Sequence, residues 1–62
     1  MTYDVYEGQT LRAQNVPAEH AAELSQLSVE DIEWCVQECS IAETDTHAVV
    51  EHGDSPLRHG RF

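Results

Sequence analysis

The chain predicts a small α+β domain in the order β-β-α-α-β: a three-stranded antiparallel sheet with two helices on one face. Three observations carry that class. Two β-prone runs flank Gly8-Gln9, a middle stretch rich in Ala and Glu restarts at Ser28, and a short run holding Val49 and Val50 stops at Gly53. Each of these segments has one apolar side, and a single sheet covered by helices hides all of them. The 62 residues leave room for one domain. It is assigned to residues 1–53, with 54–62, which include Pro56, Gly60 and two Arg, as a flexible C-terminal tail.

The first strand, Thr2 to Glu7, carries Tyr3, Val5 and Tyr6, and the second runs from Thr10 to Val16. A three-residue loop, Glu7-Gly8-Gln9, sets Val5 opposite Leu11 and Tyr3 opposite Ala13 on one face, with Asp4 opposite Arg12 on the other. Pro17 suits a helix start, and Ala18 to Leu27 is the first helix, with a narrow stripe of Ala21, Leu24 and Leu27. Ser28-Val29-Glu30-Asp31 resembles a capping box, with Asp in place of the usual Glu, and starts a second helix at Val29. In that helix Val29, Ile32, Cys35, Val36 and Cys39 fall within about 120° of one another, a buried face. Ser40 to Thr46 has loop chemistry, and His47 to His52 is the third strand, expected to pair with the first because a helical connection can carry it across the sheet. The expected core is Tyr3, Val5, Leu11, Ala13, Leu24, Leu27, Ile32, Val36 and Val49.

Charge narrows the function. Twelve acidic residues face three Arg and no Lys, a formal net charge of −9. Such a field repels nucleic acid and anionic membrane and attracts basic surfaces, which argues against direct DNA or RNA binding. No Lys or Arg occurs between Ala13 and Leu57, so the acidity is continuous along the domain. A hydrophobic content of 40% still supplies a core, unlike a disordered acidic chain. No apolar run has the length of a membrane span, and Met1-Thr2-Tyr3-Asp4 does not read as a signal segment; the expected location is the cytoplasm. Cys35 and Cys39 are then expected as reduced thiols, and an i, i+4 pair on one helix holds its sulfurs poorly for a bridge.

Several constellations invite chemistry. Cys35 and Cys39 followed by His47 and His52 have zinc-type donors, but a strand from 47 to 52 sends the two His to opposite faces. The expected roles of the two Cys are therefore small core hydrophobes, with no metal and no cofactor. Glu43, Asp45 and His47 lack the Gly turn and terminal Glu of a calcium loop. Nothing resembles a nucleophile elbow or a Gly-rich phosphate loop, and one thin core encloses no pocket, so no enzyme is expected. Trp34 stands apart. It lies about 160–200° from the apolar centre of the second helix, among Glu30, Asp31, Gln37 and Glu38. Two placements are open: a solvent-side hot spot for a basic partner, or an indole tucked under the first helix or the tail.

The opening Tyr3-Asp4-Val5-Tyr6-Glu7-Gly8-Gln9-Thr10-Leu11, followed by an Ala-Glu helix in a chain without Lys, resembles the short orphan gene products of high-GC actinobacterial phages. The resemblance is one of composition and architecture over the first half. It implies a host-interaction or accessory role and transfers no functional residue. A halophilic source would produce the same acidity as an adaptation to solvent.

The leading functional expectation is a small acidic protein-binding module that modulates a host protein with a basic surface. Trp34, Glu30, Asp31 and Glu38 are its partner-binding residues, and mimicry of nucleic acid is a specific form. The alternatives are a self-associating homodimer that completes a thin core and a zinc-stabilised module.

Overall fold

In the computed structural model of the protein, residues 1–54 are described. Six elements follow one another: β1 (Tyr3–Glu7), β2 (Thr10–Val16), α1 (Ala18–Ser25), α2 (Val29–Cys39), β3 (Ile41–Glu43) and β4 (His47–Glu51). The strands form one antiparallel sheet in the order β2-β1-β4-β3. The α+β class holds, but the sheet has four strands where three were expected. The segment assigned to the 54–62 tail lies, from residue 55 onward, outside the described residues.

The additional strand is β3. Ser40, Thr44, Asp45 and Thr46 give the segment its loop character, and a three-residue Ile-Ala-Glu run is too short for periodicity to register. What makes it a strand is β4, which pairs Ile41 with Val50, Ala42 with Val49 and Glu43 with Ala48. Thr44 closes the hairpin. Its N–H donates to the His47 carbonyl at 2.8 Å, and its hydroxyl oxygen accepts from the His47 N–H at 2.9 Å. As expected, the strand that follows the helices pairs with β1, setting Val5 opposite Val49 and Tyr3 opposite Glu51.

The β1–β2 register differs from the expected one. Glu7 faces Thr10 across a two-residue Gly8-Gln9 turn, in which Gly8 takes a φ of 62°. Two irregularities then let β2 run ahead. Arg12 is extra between the pairs Tyr6–Leu11 and Val5–Ala13, and a further residue is extra before Tyr3 meets Val16, where Asn15 has a φ of 59°. A single inserted residue reverses which face the next side chain takes. Leu11, opposite Tyr6, is off the helix-covered face and 43% exposed, while Ala13 and Val16 pack on the core. Arg12 does not meet Asp4; its Nε pairs with Glu7 Oε1 at 2.9 Å.

α2 begins where expected. The Ser28 hydroxyl accepts from the Asp31 N–H at 3.1 Å, an N-cap that satisfies one of the free donors of the first turn. α1 has no side-chain cap and ends at Gln26 in the left-handed conformation. Its buried residues are Ala18, Ala21 and Ser25, with Leu27 half-buried beyond its end and Leu24 at 37% exposure. Ala18, Ala21 and Ser25 take the inward side of α1, which leaves Leu24 partly in solvent.

The main core joins Tyr3, Val5, Ala42 and Val49 from the sheet with Ala18, Ala21, Ile32 and Val36 from the helices, so both helices cover one sheet face. Burial of Ile32, Val5 and Val49 stabilises the fold by about 1.5–3 kcal/mol each. Ile41, Ala48 and Val50 form a second buried cluster with Tyr6 against it, on the opposite face. β4 thus buries side chains on both sides, as suits an interior strand.

Candidate functional site

The residues singled out for partner binding share one face of α2. Glu30 and Glu38 stand four residues before and after Trp34, about 40° to either side, and Asp31 lies about 60° away. All four are exposed, and Trp34 is 63% exposed. That resolves its placement: the indole is at the surface, because Ile32 and Val36 take the inward positions of the helix. Among the described residues no ion pair reaches Glu30, Asp31 or Glu38. Arg12 is engaged with Glu7 on the hairpin.

The charges on α2 differ in their effect on the helix. Glu30 and Asp31 lie in the first turn, where the helix dipole favours anions. Glu38 lies near the other end, with no basic residue in the last turn to offset it. An anion there costs the helix about 0.3–1 kcal/mol.

A second feature adjoins this face. An open cavity of about 590 Å³ lies between the start of β1, the end of β4 and α2, with Tyr3, Glu33, Val36, Gln37 and Glu51 in its lining. Tyr3 and Glu51 are opposite one another in the β1–β4 ladder. Burial raises the Tyr3 phenol above its ordinary pKa, and the Glu33 and Glu51 carboxylates raise it further. The phenol therefore stays protonated. Sequence reasoning placed Tyr3 in the core and did not see that its edge faces two carboxylates, since Glu33 and Glu51 belong to different elements.

Asp4 is the other residue that the sequence did not single out. It is 3% exposed, and its carboxylate accepts from the Asn15 N–H at 2.8 Å, from the Gly53 N–H at 3.3 Å and engages His52 Nδ1 at 2.9 Å. Burial alone would raise its pKa, but His52 and the two backbone donors together hold it below the usual carboxylate value. One carboxylate thereby ties the irregular part of β2 to the turn after β4.

The zinc-type residues are not assembled into one site. Cys35 is half-buried against the main core and Cys39 is exposed, a departure from the expected buried position. His52 engages Asp4, whereas His47 Nδ1 lies 2.7 Å from the Thr46 hydroxyl. Among the described residues no group of three or more His, Cys, Asp or Glu could hold a metal ion. No described helix is long and apolar enough to cross a membrane. No protein-family model, curated protein or solved structure matches the chain.

Proposed function

We propose that the protein is a small acidic binding module that engages the basic surface of a partner protein through the exposed face of α2. The observation that carries this reading is Trp34, a large aromatic left in water beside Glu30, Asp31 and Glu38. A buried aromatic anchor ringed by polar contacts is the usual energetic centre of an interface. Glu38 adds support, since it sits where the helix dipole disfavours it and no local partner compensates. In the phage setting that the composition resembles, the partner is a host protein, and occupation of a nucleic-acid-binding groove is the specific form that the −9 charge favours.

Capture from a host lysate on immobilised protein tests this. One or more basic proteins should be retained at low salt and released at about 1 M salt, where the Debye length falls to about 3 Å. Trp34→Ala should lose them while retaining its circular dichroism spectrum. Equal capture by wild type and Trp34→Ala would sink the reading.

A homodimer is the second reading, favoured by Leu11, which is exposed on the edge strand β2. The two bulges of β2 oppose edge-to-edge pairing, so packing of apolar surface rather than sheet extension would hold such a dimer. Its melting temperature should then rise with protein concentration and with salt, and sedimentation as a monomer at micromolar concentration would remove it.

A further inference from the structure

We propose that the open cavity beside α2 binds a single basic side chain, the ammonium of a Lys or the guanidinium of an Arg that the partner presents. The proposal rests on the reading that the partner has a basic surface, and it assigns a specific receptor for one of its side chains.

Three features of the cavity point to such a ligand. The first is Tyr3, which is 3% exposed yet makes no hydrogen bond through its hydroxyl among the described residues. Every fully buried side-chain polar atom in the described part of the protein has a partner. The Tyr3 hydroxyl therefore keeps some exposure, and with Tyr3 in the cavity lining its oxygen is free to accept from an N–H donor there. A buried aromatic with an unpartnered polar tip is an incomplete hydrogen-bonding site.

The second is the charge around that oxygen. Glu51 faces Tyr3 across the β1–β4 ladder, and Glu33 comes from α2 on the other side. Neither carboxylate is in an ion pair among the described residues, and Met1, which also lines the cavity, pairs with neither. Arg12 is held by Glu7, and His52 by Asp4 on the opposite sheet face. Among the described residues, the cavity thus brings together two negative groups and one neutral acceptor, with no cation paired to them.

The third is the wall. Val36 and Met1 give the cavity an apolar side, which suits the methylene stem of Lys or Arg and not a hydrated metal ion. Among the described residues no group of three or more His, Cys, Asp or Glu could hold a metal ion, and a divalent cation held by two carboxylates would keep several waters that the apolar wall does not accommodate. The 590 Å³ volume accommodates one long side chain.

The test uses n-butylammonium as a minimal Lys side chain, with n-butanol as its neutral counterpart, in NMR titrations of the intact protein. Butylammonium should shift the Tyr3 ring and Val36 methyl signals in a saturable, salt-sensitive manner, and butanol should not. Glu33→Gln combined with Glu51→Gln should weaken binding about fivefold or more, the scale of losing partly exposed ion pairs. Tyr3→Phe should weaken it while retaining the ring and the fold. Glu33 is exposed on the helix surface, so Glu33→Gln alone provides a variant whose folding is not in question. Equal shifts with butanol, shifts spread over all surface carboxylates, or wild-type affinity in the Glu33→Gln protein would overturn the proposal. Trp34 does not line this cavity. Loss of butylammonium binding together with intact, Trp34-dependent capture of a basic protein would remove the cavity and leave the module. Specific butylammonium binding without any captured protein would remove the module's partner and uphold the cavity.

Discussion

Replacing Asp4 by alanine probes the buried carboxylate that joins β2 to the turn after β4. The substitution strands the N–H groups of Asn15 and Gly53, each of which costs about 1–3 kcal/mol when buried and unpaired. Both residues are exposed, so water recovers part of that cost, most of it at the 3.3 Å Gly53 contact. Loss of the His52 contact adds little, because that imidazole returns largely to solvent. The expected destabilisation at pH 7 is about 2–3 kcal/mol. A chain of this length is stable by about 3–9 kcal/mol in total, so the variant should be visibly closer to unfolding. Asp4→Asn keeps one acceptor oxygen and should lose about 1 kcal/mol.

Acid provides an independent check. The folded pKa of Asp4 lies below its unfolded value, so its contribution is present above about pH 4 and fades as pH falls through the folded pKa. Urea denaturation followed by far-UV circular dichroism at pH 7 and near pH 3 should show the gap between wild type and Asp4→Ala narrowing on acidification. A gap under 0.5 kcal/mol at pH 7, or one that widens in acid, would refute the assignment of Asp4 as the clasp.

The remaining predictions follow from burial and capping. Ile32→Ala should destabilise the domain by about 2–5 kcal/mol in the same denaturation assay, whereas Leu24→Ala, partly in solvent, should cost under about 1 kcal/mol. Ser28→Ala removes the N-cap of α2 and should cost about 1 kcal/mol, with Ser28→Asp close to wild type. Trp34→Ala should change stability by less than about 0.5 kcal/mol, and wild-type indole fluorescence should be red-shifted and readily quenched by neutral acrylamide. A blue-shifted emission would place the indole inside.

Much of the secondary structure was legible in local signals. Gly8 marked the first turn, Ser28 and Asp31 the start of α2, and Val49-Val50 the strand that returns to β1. These depend on backbone freedom, capping and β-branching within a few residues. The α2 face that bears Trp34, Glu30, Asp31 and Glu38 was also legible, since helical periodicity alone sets those four side chains together.

The rest required partners distant in the chain. β3 exists because β4 offers Val50 and Ala48 to Ile41 and Glu43, and no three-residue run announces that by itself. The two-residue Gly8-Gln9 turn sets Leu11 opposite Tyr6, off the core, and the extra residue at Arg12 returns Ala13 to the Val5 face. Trp34's exposure had two open answers until packing assigned the inward side of α2 to Ile32 and Val36. Asp4 with His52, 48 residues apart, and Tyr3 between Glu33 and Glu51 became sites only on folding. Local sequence determines backbone preference and the faces of single elements; register and the meeting of charges across elements depend on long-range pairing, which only the tertiary structure decides.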